Sequence, residues 1–229
     1  MLVSGVDESV VVTDRAEDLC LELARLKAQA VLTRLSPSTP PTSPSPGTDP
    51  GLSASPDPGL SAGPVTSTST STSTSTNQRT LVIGCDSVLA FDGEILGKPA
   101  DPADATRRWQ RMRGRSGVLH SGHCLIDMAA GRRAEAVAST TVHFADISDD
   151  EIAAYVASGE PLAVAGAFTI DGLGGPFVER IEGDPGTVVG LSMPLLRRLL
   201  AELGLQITDL WTKVAPGGQS VEPLGNVRS

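Results

Sequence analysis

An α/β fold, in one domain interrupted by an insertion, is what three features of this 229-residue sequence predict. Short apolar, β-branched runs alternate along the chain with segments of helical period, so strands and helices intermix. Helix-capping pairs and glycine turns separate those segments at ordinary spacings. Between them the composition changes abruptly to Ser, Thr, Pro and Gly over residues 36 to about 79. At about 150 residues per domain the length allows one domain and a surplus, and the surplus is this stretch.

The elements are predicted in order. Val10-Val11-Val12 ends a strand, and Asp14 with Glu17 three residues later has the spacing of a capping box. In the helix that follows, Leu19, Leu23, Leu26 and Ala30 share one face. Next comes the insertion. Nine of the 17 prolines fall between Pro37 and Pro64, the hexapeptide Asp-Pro-Gly-Leu-Ser-Ala occurs at 49–54 and again at 57–62, and a strict Thr/Ser alternation fills 66–76. Such a segment cannot bury enough apolar surface to offset its ordering entropy, so residues 36–79 are expected to be a disordered insertion. Thr80–Ile83 reads as a buried strand ending at Gly84, Ser87–Phe91 continues it, and Asp92-Gly93 signals a hairpin. Asp101-Pro102 opens a helix in which Ala105, Trp109 and Met112 align. Val118–Met128 and Ala134–Phe144 read as strands joined through Gly131. Ser148 and Glu151 form a capping box ahead of Ile152–Val156, and Ser192–Leu203 is an amphipathic helix closed by Gly204. The folded domain is expected to run over 1–215, followed by a flexible tail from Pro216 to Ser229.

Charge and composition exclude several functions. Lys and Arg total 18 against 27 Asp and Glu, a net charge of −9 that repels nucleic-acid phosphates and anionic membrane surfaces. No apolar run approaches the roughly 18–20 residues of a membrane helix. The first residues, with Asp7, Glu8 and Asp14, lack a signal peptide's basic start. Cys20, Cys85 and Cys124 are an odd, scattered set that suits neither a disulfide framework nor a zinc pair. A reduced, soluble, cytoplasmic protein is the expectation.

The chemistry is carried by short polar clusters. Gly84-Cys85-Asp86-Ser87 is expected at a strand's end, placing the Asp86 carboxylate at the sheet edge where α/β proteins bind ligands; a plain turn aspartate is the other reading. Lys98 stands between Gly97 and Pro99, and it is one of only three lysines beside 15 arginines. A compact ammonium suits phosphate, although a solvated loop lysine has the same appearance. Lys27 lies one turn beyond Leu23, at the edge of the first helix's apolar stripe. His120 and His123, three apart on a strand, point to opposite faces and do not chelate a metal. Gly172-Leu173-Gly174-Gly175 reads as a tight turn.

Together these clusters resemble the Maf family of nucleoside triphosphate pyrophosphatases, associated with septum formation. The resemblance rests on Ser4–Glu8, Leu23–Ala28, Gly84–Val88, Leu96–Pro99, Gly114–Ser116 with Ser121-Gly122, Tyr155–Pro161, Ala165–Gly172, Ile181–Asp184 and Val188–Leu191, in order and at the family's spacing. It implies a mixed-sheet, two-lobed α/β domain with a central cleft, and a homodimer. The implied reaction is metal-dependent hydrolysis of a nucleoside triphosphate to the monophosphate and pyrophosphate. By the same resemblance Asp86 is the proton acceptor, Glu8 and Asp86 hold a divalent cation (Mg²⁺ or Mn²⁺), and Lys27, Lys98 and Asp171 meet the substrate, with Arg115 a further candidate for phosphate. Two departures stand out. Family members carry a strand and a Ser-x-Ser-x-Arg-Arg loop about twenty residues before the Asp-Glu pair, whereas Met1 here is seven residues before Glu8; and Asp171 replaces a Gln found in many members. The first departure supports a rival reading, a weakly active or non-catalytic member that binds nucleotide or regulates cell division.

Overall fold

The structure is a computed structural model that describes Val11, residues 13–35 and residues 79–211. Glu8, the expected strand at 10–12 apart from Val11, the insertion over 36–78 and the tail lie outside the described residues. Ten helices and strands follow one another: α1 (Ala16–Leu35), β1 (Leu81–Phe91), β2 (Glu94–Leu96), α2 (Pro102–Met112), β3 (Ser116–Asp127), β4 (Arg132–Phe144), α3 (Asp149–Ala157), β5 (Val178–Glu182), α4 (Pro185–Val189) and α5 (Met193–Glu202). The strands form one sheet in the order β2-β1-β3-β4-β5. The α/β class holds, and every pairing among the described residues of the expected mixed sheet is antiparallel. No helix among them is long and apolar enough to cross a membrane.

Local signals formed the elements they predict. At the β1–β2 turn Asp92 and Gly93 both have positive φ (54° and 80°), which gives the turn a twist matching that of the flanking strands. Asp101 caps α2 by accepting from the Asp104 amide, and Ala105, Trp109 and Met112 are its buried face. Ser148 and Glu151 form both halves of the capping box at α3. α1, by contrast, begins at Ala16 rather than directly after Asp14, and the Arg15 amide donates instead to the Thr13 hydroxyl at 3.3 Å.

The face that α1 buries also differs from the leucine stripe. Ala16, Cys20, Leu23, Ala24 and Ala28 are buried, whereas Leu26 and Ala30 are only half-buried. A helix of small residues lies close to a sheet, and the sheet answers with glycines. A side chain at Gly122 of β3 would run into the Cys20 backbone, and one at Gly84 of β1 into the Ala24 carbonyl. On the other face α5 lays Leu195, Leu196, Leu199, Leu200 and Leu203 over Leu125 and Ala134. A third and larger core joins the hairpin end of the sheet to α2 and α3, around Trp109, Phe144, Tyr155 and Phe168.

Arg79, expected inside the insertion, belongs to the fold. Its guanidinium pairs with the Asp127 carboxylate, which is fully buried and also accepts from the Ala129 and Ala130 amides at 3.1 and 3.3 Å. The Arg79 hydrogen bond is the main cause that holds the Asp127 carboxyl below its ordinary 3.8. Removing the guanidinium takes a charge-assisted bond from a buried carboxylate, so Arg79→Ala should lower stability at pH 7. Because the folded state lowers this pKa, the contribution is present above the ordinary aspartate range and fades as the pH falls below it. Urea titrations at pH 7 and pH 3 should therefore separate variant and parent widely at the first pH and less at the second; equal gaps would assign the effect elsewhere.

Candidate active site

Asp86 is not at a strand end. β1 runs unbroken through Gly84, paired with β3 from Leu81↔Asp127 to Ala90↔Val118, and Asp86 sits opposite Gly122 in mid-strand. Strand alternation sends Val82, Gly84, Asp86 and Val88 toward α1, where Val82 meets Ala24 and Ala28 and Val88 meets Ala16 and Cys20. The glycine that reads as a stop signal is thus a contact point for the helix. With α1 so close, the Lys27 ammonium reaches the Asp86 carboxylate and donates to its Oδ1. The two side chains are 22% and 10% exposed, so the pair is largely shielded from water yet still reachable.

Beside this pair lies a cavity of about 230 Å³ whose lining includes Asp86, Leu19 and Leu23 of α1, Gly97 and Lys98 after β2, and Ala165. Two leucines that the sequence assigns to the core stripe therefore form an apolar wall next to the charged groups. Lys98 is exposed, on a turn fixed by the buried Pro99. The Gly97 carbonyl accepts from the Gly166 amide at 3.1 Å, which joins the Lys98 turn to the stretch bearing Ala165.

The two thiols near Asp86 are electrostatically inert. Burial first, and then the Asp86 charge, push both Cys20 and Cys85 up to about 12, so both stay protonated and are poor nucleophiles. Neither His120 nor His123 is placed as a base. The His120 Nδ1 is 2.8 Å from the Ser139 hydroxyl. The His123 Nε2 accepts from the Ser192 amide at 2.9 Å, so its Nδ1 carries the hydrogen that meets the Ser121 carbonyl at 3.0 Å. Burial lowers the pKa of both rings. On the face away from α1, Ser87 bonds the Ser121 hydroxyl at 2.6 Å, and Ser121 donates to the Thr187 carbonyl at 2.7 Å, anchoring β1 next to Asp86.

Of the expected site residues, then, Lys27, Asp86 and Lys98 come together, and Glu8 is outside the described residues. Asp171 is exposed on the loop after Phe168 and is not part of the cavity lining. Arg115 is committed elsewhere: it pairs with Asp92 at 3.0 Å and stacks over Phe91 at 4.7 Å. Among the described residues no three His, Cys, Asp or Glu side chains converge as a metal cage. A magnesium-like ion needs no such cage, because it binds through one or two carboxylates plus substrate phosphates. A single Asp86 carboxylate beside lysines fits that donor chemistry.

Sequence reasoning missed Glu160. Its carboxylate accepts from the Tyr155 hydroxyl (3.0 Å), the Thr169 hydroxyl (2.5 Å) and the Leu173 and Gly174 amides (3.0 Å each). The Thr169 hydrogen bond, then those amides, hold its pKa down to about 2. The glycine-rich turn at 172–175 thus wraps an anion supplied by the protein itself, and the loop bearing Asp171 is fixed by it.

The sequence profile of the Maf-like protein family matches residues 1–203. The chain belongs to the Maf family. This Maf chain is 66% identical over 223 residues to a nucleoside triphosphate pyrophosphatase of Salinispora tropica, covering 97% of the chain and 80% of that protein. It is 49% identical over 211 residues to the protein of the same name from Streptomyces coelicolor, covering 92% of the chain and 83% of the relative. A third relative of that name, from Thermosynechococcus vestitus, is 60% identical over 133 residues.

Close approach of α1 is what brings Lys27 to Asp86 in this Maf chain, so Gly84→Ala should disturb both stability and site. The new Cβ would collide with the Ala24 carbonyl and come within 2.6 Å of the Ala28 nitrogen. Overpacking of this kind costs about 1–3 kcal/mol, and a helix displaced by about 1 Å lowers kcat/KM by tenfold or more. Urea unfolding together with a pyrophosphate assay reads both effects; a variant with parental kcat/KM would show that the helix spacing does not set the site.

Proposed function

We propose that this Maf protein hydrolyses a nucleoside triphosphate to the nucleoside monophosphate and pyrophosphate. What carries the reading is a shielded carboxylate, Asp86, that pairs with Lys27 and lines one small cavity together with the Lys98 turn. At about 230 Å³ that cavity is below the roughly 300–1,000 Å³ of pockets that enclose a whole drug-sized ligand. It takes the reacting phosphates and leaves the ribose and base outside, with Asp171, a substrate contact by the resemblance, as the proposed base contact.

In this reading Asp86 orients a water and accepts its proton as the water oxygen bonds the α-phosphorus. The bond from that phosphorus to the α,β-bridging oxygen breaks, and its electron pair leaves on pyrophosphate. The Lys27 ammonium has three N–H donors, so it bridges the carboxylate and a phosphate oxygen at once. Lys98 offsets charge on the leaving pyrophosphate. Asp86, with Glu8 as the second carboxylate that the resemblance implies, would hold a Mg²⁺ or Mn²⁺ ion, which when bound neutralises phosphate charge and polarises the phosphorus–oxygen bonds. A homodimer in the cytoplasm completes the proposal, and light scattering tests the dimer.

The deciding assay supplies UTP, dTTP, CTP and 7-methyl-GTP in turn, with Mg²⁺ or Mn²⁺. Monophosphate and pyrophosphate should appear in equal amounts from at least one of them. Release of inorganic phosphate instead, or binding without turnover, would overturn the proposal.

A further inference from the structure

We infer that Asp104 and Arg108, one turn apart on α2, are positioning residues that clamp the Lys98 turn at both ends. The inference rests on the proposed phosphate contact of Lys98 and adds the means by which that contact is held in place. A lysine on a turn is a flexible cation, and the residue before it does nothing to stiffen it: a side chain at Gly97 would meet no atom within 4 Å. The stiffening comes from outside the turn. Upstream of Lys98, the Gly97 carbonyl accepts from the Arg108 guanidinium at 2.7 Å. Downstream, the Ala100 amide donates to Asp104 Oδ2 at 3.1 Å. The two clamping side chains meet each other at 2.7 Å and are only 14% and 20% exposed. The loop of contacts is closed, from the Gly97 carbonyl through Arg108 and Asp104 to the Ala100 amide, and Lys98 and Pro99 lie inside it. The charge-assisted bonds in this loop are stronger than neutral ones, and partial burial spares them much of the screening that weakens a surface pair.

Nothing else in the described cavity asks for Arg108. Its charge is matched by Asp104, and the Gly97 carbonyl has a second donor in the Gly166 amide at 3.1 Å. A carbonyl doubly held just before a phosphate-binding lysine fixes where the ammonium projects, and preorganisation of that kind is worth most in a charged site.

The test uses the full chain and measures kcat/KM for pyrophosphate release, thermal midpoint and hydrogen exchange at the Ala100 amide. Arg108→Gln and Asp104→Asn should each lower kcat/KM by about 10–100-fold, as a misplacement near 1 Å does. Both should speed exchange at Ala100 without a matching loss of thermal stability. Combined with Lys98→Ala, neither should lower the rate further, because a clamp has nothing left to position. If Lys98→Ala alone leaves the rate unchanged, the phosphate role of Lys98 falls, and the clamp's purpose with it. If Lys98→Ala is costly and the second substitution multiplies the loss, the clamp alone is overturned. Should Arg108→Gln fail to fold, Asp104→Asn, at the more exposed end of the pair, carries the same test, and a parental rate with parental Ala100 exchange overturns the inference.

Discussion

Asp86→Asn should lower turnover by about 10²–10⁴, the range for loss of a general base. The substitution keeps the side chain's shape and leaves an oxygen that can still accept from Lys27, so the packing of α1 on β1 has no reason to change. What disappears is the ability to take a proton and the negative charge beside the ammonium. Substrate affinity should fall much less than turnover, since the Lys27 ammonium stays in place beside the Asn oxygen. A second signature separates lost proton transfer from general damage. The Asn variant should unfold at the parental urea concentration while its turnover is lost, whereas general damage would lower both. An Asn variant with near-parental pyrophosphate release would transfer the role of base to another group.

Asp86 also shows how far a sequence reaches. The Gly-Cys-Asp-Ser cluster and the resemblance single it out as a candidate, yet its position in mid-strand was not legible. Gly84 looks like punctuation when read along the chain, and only the approach of α1, some sixty residues earlier, explains why a glycine interrupts an apolar strand without ending it. The same long-range contact hid the true buried face of α1, where Ala16, Cys20, Ala24 and Ala28 join Leu23. Elements whose causes lie within a few residues were legible: the Asp92-Gly93 turn, the Asp101 cap and the Ser148–Glu151 box. β5 was not, because Val178–Glu182 is short, carries three charged residues and becomes a strand only by pairing with β4. Glu160 and the Asp104–Arg108 pair stayed hidden for a related reason. The i,i+4 spacing of Asp104 and Arg108 marks a helix-surface ion pair, and nothing local says that the pair turns toward the backbone around Lys98.

The largest loss of stability is expected at Trp109. Six of the chain's seven aromatic residues gather in one core, so this protein, only 3% aromatic, concentrates its largest apolar side chains in a single place. Trp109 is fully buried and packs edge-on against Phe144, Tyr155 and Phe177 with ring centroids 5.6, 5.6 and 5.8 Å away. Its indole N–H donates to the Ala167 carbonyl at 2.8 Å, and Ala167 holds a positive φ of 60°, unusual for a residue with a side chain. Trp109→Ala opens a cavity and also leaves that carbonyl without its donor, a combined cost of about 3–5 kcal/mol. Native domains are stable by only about 5–15 kcal/mol, so the variant should retain a small fraction of its stability. Each kcal/mol moves the melting temperature of a domain of this size by about 2–4 °C, which predicts a fall of about 6–20 °C. Trp109→Phe divides the cost, because it keeps most of the packing and loses the hydrogen bond, and should fall by about 1–3 kcal/mol. The loss should reach the site as well. Ala165 of the cavity wall and Gly166, whose amide holds the Lys98 turn, stand two and one residues before Ala167, so the Phe variant, still folded, should bind substrate less tightly. A Phe variant with parental KM but lowered stability would confine Trp109 to the core, and an Ala variant within about 1 kcal/mol of the parent would show that the aromatic cluster does not carry the fold.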